Sequence, residues 1–106
     1  MNLEEYIKDT LEIPYIEDGD TVVDGCFALN PYSASALFGD GKAKETRTRY
    51  VLELFYGSKT EIVKKAMYLY EKLQENKVTC QMPDYEHYRD IRMWKATINL
   101  TGGRDE

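Results

Sequence analysis

The sequence holds one histidine, one tryptophan, two cysteines and three prolines among 106 residues. With His87 alone and no cysteine near it, the chain lacks the ligand spacing that zinc sites use. Cys26 and Cys80 form no CxxC pair and read as two reduced thiols lying in strands. A bridge between them would need adjacent strands with close Cα atoms. No apolar run approaches the roughly 20 residues that cross a bilayer. The start, Met1-Asn2-Leu3-Glu4-Glu5, has neither the basic beginning nor the apolar centre of a secretory signal. A chain that stays in the cytosol, without membrane contact, is expected.

A basic excess is also missing. Fourteen Lys and Arg against nineteen Asp and Glu leave a net charge of −5, so the footprint of a sequence-specific nucleic-acid binder is absent. The charge is uneven. Residues 1–25 carry eight acids and one base, residues 26–83 six acids and nine bases, and residues 84–106 five acids and four bases. A solvated acidic face accounts for this, and so does head-to-tail docking between copies.

Catalytic groupings are lacking as well. Ser33, Ser35 and Ser58 have no histidine partner that the sequence can place. The acid pairs Asp18/Asp20 and Asp84/Glu86 sit in turns, whereas catalytic carboxylates need a pocket that splits their pKa values. Gly39-Asp40-Gly41-Lys42 lacks the spacing and the strand–loop–helix setting of a phosphate loop and reads as a turn. The expectation is a protein that is not an enzyme, with no catalytic residue, no cofactor and no metal site.

What is present is one modest core. A chain of this length supports a single domain, expected over residues 1–100, with 101–106 as a polar tail. Forty-two per cent hydrophobic residues are enough to build it. The clearest stretch is 46–76. Tyr50, Leu52, Leu54 and Tyr56 alternate with Val51, Glu53 and Phe55, the period of a pleated strand. Gly57 breaks it. Ser58 and Glu61 then have the form of a capping box. Ile62, Val63, Ala66, Met67, Leu69, Tyr70 and Leu73 fall within about 160° of a helical wheel, and Asn76 is a helix stop. Tyr68 falls on the wet side of that wheel.

Residues 3–11 read as a first helix, with Asn2 as its cap, acids Glu4 and Glu5 in its first turn, and Pro14 closing it. A short extended piece at Tyr15-Ile16 precedes a turn at 17–20. Residues 26–30 read as a strand that Pro31 stops, with 21–23 leading in across Asp24-Gly25. The segment 32–45 reads as a long loop, and loops of that length in small domains are functional or disordered; its Leu37 and Phe38 suit either a hook into a neighbour or packing back on the parent domain. Residues 77–82 and 91–100 read as strands, with 85–88 as a polar and aromatic connector. The order is α-β-β-β-α-β-β. This predicts an α+β fold: one mostly antiparallel sheet of four to five strands with two helices on one face.

The other sheet face would carry Val51, Phe55, Ile91 and Met93 among polar residues, open to water and suited to contact. Nine tyrosines supply amphipathic contact area. Leu37, Phe38, Val51, Phe55, Tyr68, Ile91 and Met93 are therefore the expected interface residues.

Several features together resemble a known group. They are the opening Met1-Asn2-Leu3-Glu4-Glu5-Tyr6-Ile7, the Asn30-Pro31 strand end and the loop Phe38-Gly39-Asp40-Gly41. They continue with the strand from Tyr50 to Tyr56 followed by Ser58-Lys59-Thr60-Glu61, and with the ending Trp94-Lys95-Ala96-Thr97-Ile98-Asn99-Leu100. Over residues 1–100 the chain resembles the small tail-terminator and tail-to-head joining proteins of prophages and long-tailed phages of Gram-positive bacteria. The resemblance implies a non-enzymatic subunit that forms a ring, usually a hexamer, on the tail tube. It implies the tail tube protein and the head connector as partners. It places the protein in the bacterial cytoplasm during assembly and at the head–tail junction of the virion afterwards. It also implies that the loop after Tyr32 is an arm reaching a neighbour. A small α+β protein-binding or regulatory module is the other function class that the residues allow.

Overall fold

A computed structural model of the protein describes residues 2–17, 19–32 and 49–101. The expected Leu37–Phe38 arm lies outside the described residues, as does the expected polar tail 101–106 apart from Thr101, which belongs to the last strand.

The chain runs α1 (Leu3–Leu11), β1 (Cys26–Tyr32), β2 (Arg49–Tyr56), α2 (Lys59–Glu75), β3 (Thr79–Cys80), β4 (Asp84–Tyr88), a 3-10 turn (Arg89–Ile91) and β5 (Met93–Thr101). All five strands join one antiparallel sheet in the order β1-β2-β5-β3, with β4 also paired to β5. The α+β class, the single sheet and the two helices are those the sequence predicts.

Local chemistry explains both helices. Asn2 Oδ1 accepts the Glu5 N–H at 3.1 Å and starts α1. Glu12 takes a left-handed conformation, φ 58°, and ends it two residues before Pro14. Ser58 Oγ accepts the Glu61 N–H at 3.2 Å and starts α2. The Glu61 carboxylate lies 3.9 Å from Lys65 Nζ, one turn on. Asn76 caps the far end, but in a non-left-handed conformation; Lys77, with φ 64°, takes the left-handed position instead.

Both helices pack on the same sheet face. Leu3, Ile7 and Leu11 of α1, with Ile62, Ala66, Leu69 and Leu73 of α2, share one core with Phe27, Leu29, Leu52, Leu54, Tyr56, Ala96, Ile98 and Leu100. The pairing register puts those strand residues on one side, Phe27 opposite Leu54 opposite Ala96. Tyr6 and Asn76 join the helices at a distance: Asn76 Nδ2 donates to Tyr6 Oη at 2.9 Å and to the Lys72 carbonyl at 2.9 Å.

The order of elements differs from the expected one in four places. Pro31 does not stop β1 but sits inside it opposite Tyr50. β1 is an edge strand, where a residue without an N–H is tolerated. The outward side of that edge is partly occupied: Phe27 bonds through its N–H to the Pro14 carbonyl and through its carbonyl to the Ile16 N–H. The early extended piece is reduced to a parallel bridge between Tyr15 and Phe27, and 21–23 has no regular structure. The expected strand 77–82 shortens to β3, because the residues after Cys80 bulge. Three residues, 81–83, face only Ile98 and Asn99 between the pairs Cys80–Leu100 and Asp84–Thr97. Finally, the expected connector 85–88 is strand β4. Ile91 leaves the last strand for the 3-10 turn, closed by Arg92 at φ 54°.

Cys26 and Cys80 are free. Cys26 pairs with Phe55 on the underside, and Cys80 pairs with Leu100 on the helix side. Three strand spacings of about 4.8 Å also separate them, so no bridge is possible.

Candidate contact surface

The register lays out the sheet underside as rungs. Cys26, Phe55, Lys95 and Glu86 form one rung; Ala28, Glu53, Thr97 and Asp84 form the next; Asn30, Val51 and Asn99 follow. The expected apolar face is therefore divided. Lys95 Nζ stands 3.4 Å from Glu53 Oε2 and 3.9 Å from Glu86 Oε1. It also lies 5.1 Å over the Tyr88 ring. Burial acts to lower the Lys95 pKa, but its bond with Tyr88 and the Glu53 charge outweigh that, and the net direction is upward. A charged pair occupies the centre of the face.

The expected interface residues are not brought together. Phe55 is 6% exposed and Cys26 is fully buried, with its thiol donating to the Val23 carbonyl at 3.2 Å. Phe55 is therefore not available for contact. Burial raises the Cys26 pKa, which keeps the thiol protonated and inert. Val51 and Met93 are half-buried, one between Asn30 and Asn99, the other opposite Tyr88. Tyr68 is exposed on α2 as the wheel predicts, with Lys72 Nζ 5.5 Å from its ring. Ile91 is 48% exposed, at the tip of the β4–β5 turn rather than on the underside.

Three of the six exposed large apolar side chains among the described residues lie along one lateral border; Val63 and Tyr68 are on α2 and Val23 precedes β1. Met82 in the bulge, Tyr85 on β4 and Ile91 in the turn are all exposed there. Tyr85 pairs with Ala96 and His87 with Trp94, so both side chains stand on the helix side of the sheet. His87 stacks on Trp94, centroids 4.4 Å apart and planes 11° apart, and Lys59 Nζ lies 5.4 Å from the same indole ring. Burial raises the Tyr85 pKa.

Backbone direction follows from the ladder. Phe27 turns outward from β2, so Cys26, Ala28 and Asn30 turn inward. Carrying that alternation across the register, Asp84, Glu86 and Tyr88 face β5, while Tyr85 and His87 turn their amides outward. Among the described residues, β4 pairs with β5 alone. This border is the feature that sequence reading misses. Its signal is the alternation of Asp84 and Glu86 with Tyr85 and His87, a strand period within a polar composition.

Among the described residues, no three His, Cys, Asp or Glu side chains converge as a metal site would require, and no helix is long and apolar enough to cross a membrane. The arrangement can do what an amphipathic border does, which is to bind another macromolecular surface. The class defined by fold and site is a one-sheet α+β domain with an exposed aromatic border. Comparison with protein-family models, with characterised proteins and with solved structures finds no match.

Proposed function

We propose that the chain is a structural subunit of phage assembly: a tail terminator or head–tail joining protein. In this reading it caps the tail tube as a homo-oligomeric ring, expected to be a hexamer, and presents a docking surface to the head connector. It works by binding rather than catalysis. It assembles in the bacterial cytoplasm and ends at the head–tail junction.

The observation that carries this reading is the position of the exposed apolar groups. Met82, Tyr85 and Ile91 lie along a lateral border of the sheet. A ring needs head-to-tail contacts between unlike patches whose rotation closes, and each such contact needs about 800 Å² per partner. The sequence resemblance supplies the particular assembly. The underside, with Lys95 and Glu53 at its centre, is left for the tube or for solvent.

A second reading is a small α+β binding or regulatory module without catalytic activity. It is favoured by the burial of Cys26, Ala28 and Phe55 within one chain, which a self-sufficient monomer would show. Light scattering over a concentration series, with negative-stain imaging in the presence of the tail tube protein, separates the two. Rings, free or on tube ends, support the first. A compact monomer that ignores the tube supports the second.

A further inference from the structure

The turn at residues 89–92 and the segment before β1 occupy opposite lateral borders of the sheet, yet they adjoin the same end of it. Cys26 pairs with Phe55, Tyr56 with Trp94 and Met93 with Tyr88, so these are the last rungs of β1, β2, β5 and β4. Asp24 is tied to that end as well, its Oδ1 accepting the Gly57 N–H at 3.0 Å.

The chemistry of the two borders is complementary. At the turn, Arg89 and Arg92 are exposed on either side of Ile91. Among the described residues neither arginine is in an ion pair. Asp90 offsets one of the two charges. The Arg92 N–H donates to the Arg89 carbonyl at 3.2 Å, which closes the turn tightly. At the other border, Val23 is 44% exposed, with Asp20 and Asp24 on either side and Glu17 nearby. The Glu17 N–H donates to Asp20 Oδ2 at 2.8 Å, which fixes that bend. Residues 2–17 and 19–25 together carry seven acids against Lys8 alone.

We propose that the 89–92 turn of one copy docks on the acidic segment before β1 of the next, Ile91 against Val23, with Arg89 and Arg92 facing Glu17, Asp20 and Asp24. The partner is a second copy of this chain. A self-matched contact would set arginine against arginine or acid against acid, which costs binding. The contact is therefore heterologous. Repeated from copy to copy, a heterologous contact builds a ring where its rotation closes and an open filament where it does not; the ring is the form the reading above requires. This contact rests on the ring reading above and gives it an interface.

Sedimentation of three chains tests it: the wild type, Arg89→Glu/Arg92→Glu, and Glu17→Lys/Val23→Lys. None of the substituted side chains belongs to the core, and a melting curve of each checks the fold. Each double variant is expected to associate at least about tenfold more weakly than the wild type. An equal mixture of the two variants is expected to recover part of the association, since the unchanged arginine turn of one then meets the unchanged acidic segment of the other. Salt at about 1 M should weaken the wild-type contact relative to about 0.1 M. Wild-type association that both variants retain in full overturns this contact and leaves the ring reading standing. So does a mixture no better than its components. A wild type that stays monomeric at every concentration, with and without tail tube protein, overturns both.

Discussion

Glu53 and Lys95 meet across the underside of the sheet, 3.4 Å apart, on neighbouring strands and one rung out of step. The pair divides what the sequence alone presents as an apolar face. It moves the expected contact surface from the broad side of the sheet to its borders.

Removing one member leaves the other half-buried without its partner. Lys95→Ala should cost about 1–2 kcal/mol, between the values for exposed and buried pairs. Adding Glu53→Gln should cost less than the sum of the single changes, because the two residues are coupled. Denaturant melts of the four chains measure this; strict additivity would show that the pair is spectator geometry.

Tyr56 presents the reverse case. Its hydroxyl is buried and has no hydrogen-bond partner among the described residues. Tyr56→Phe should raise stability by about 1 kcal/mol, since an unsatisfied buried polar group is removed. A loss of stability would reveal a partner for the hydroxyl.

The same hydroxyl gives a pH signature. Burial, reinforced by the charges of Glu61 and Asp24, pushes its pKa up to about 12. The folded chain then holds a proton that the unfolded chain releases near pH 10, so stability is intact below about pH 10 and falls as pH rises through about 12. The raised Lys95 pKa acts in the same direction. Melts at increasing alkaline pH should show the decline, and Tyr56→Phe should make it shallower.

The caps are the simplest check on local structure. Ser58→Ala removes the acceptor for the Glu61 N–H and should cost about 1 kcal/mol, while Ser58→Asp should cost little. Equal losses in both would mean that the side chain at this position does something other than cap.

How far the sequence was legible follows from which forces are local. Leu52, Leu54 and Tyr56, and Ile62 through Leu73, announce themselves by spacing, and Asn2 and Ser58 by capping; these elements stand where their residues put them. Pro31 misleads because tolerance of proline depends on β1 being an edge, a fact of the assembled sheet. Asp84 to Tyr88 misleads because its composition is that of a loop and only pairing with β5 makes it a strand. Phe55 sits on the predicted side but is buried there, a fact of the assembled chain that no periodicity encodes. Tyr68 needed only the wheel. The candidate border was the least legible part, since it joins a bulge, a short strand and a turn that become neighbours only in the fold.

The central claim is that copies of this chain join through their lateral borders. Native mass spectrometry across a concentration series, alone and with tail tube protein, tests it most directly. A closed multiple of the chain mass, six being the expected number, is the result this account predicts. A single-chain mass under every condition would contradict it.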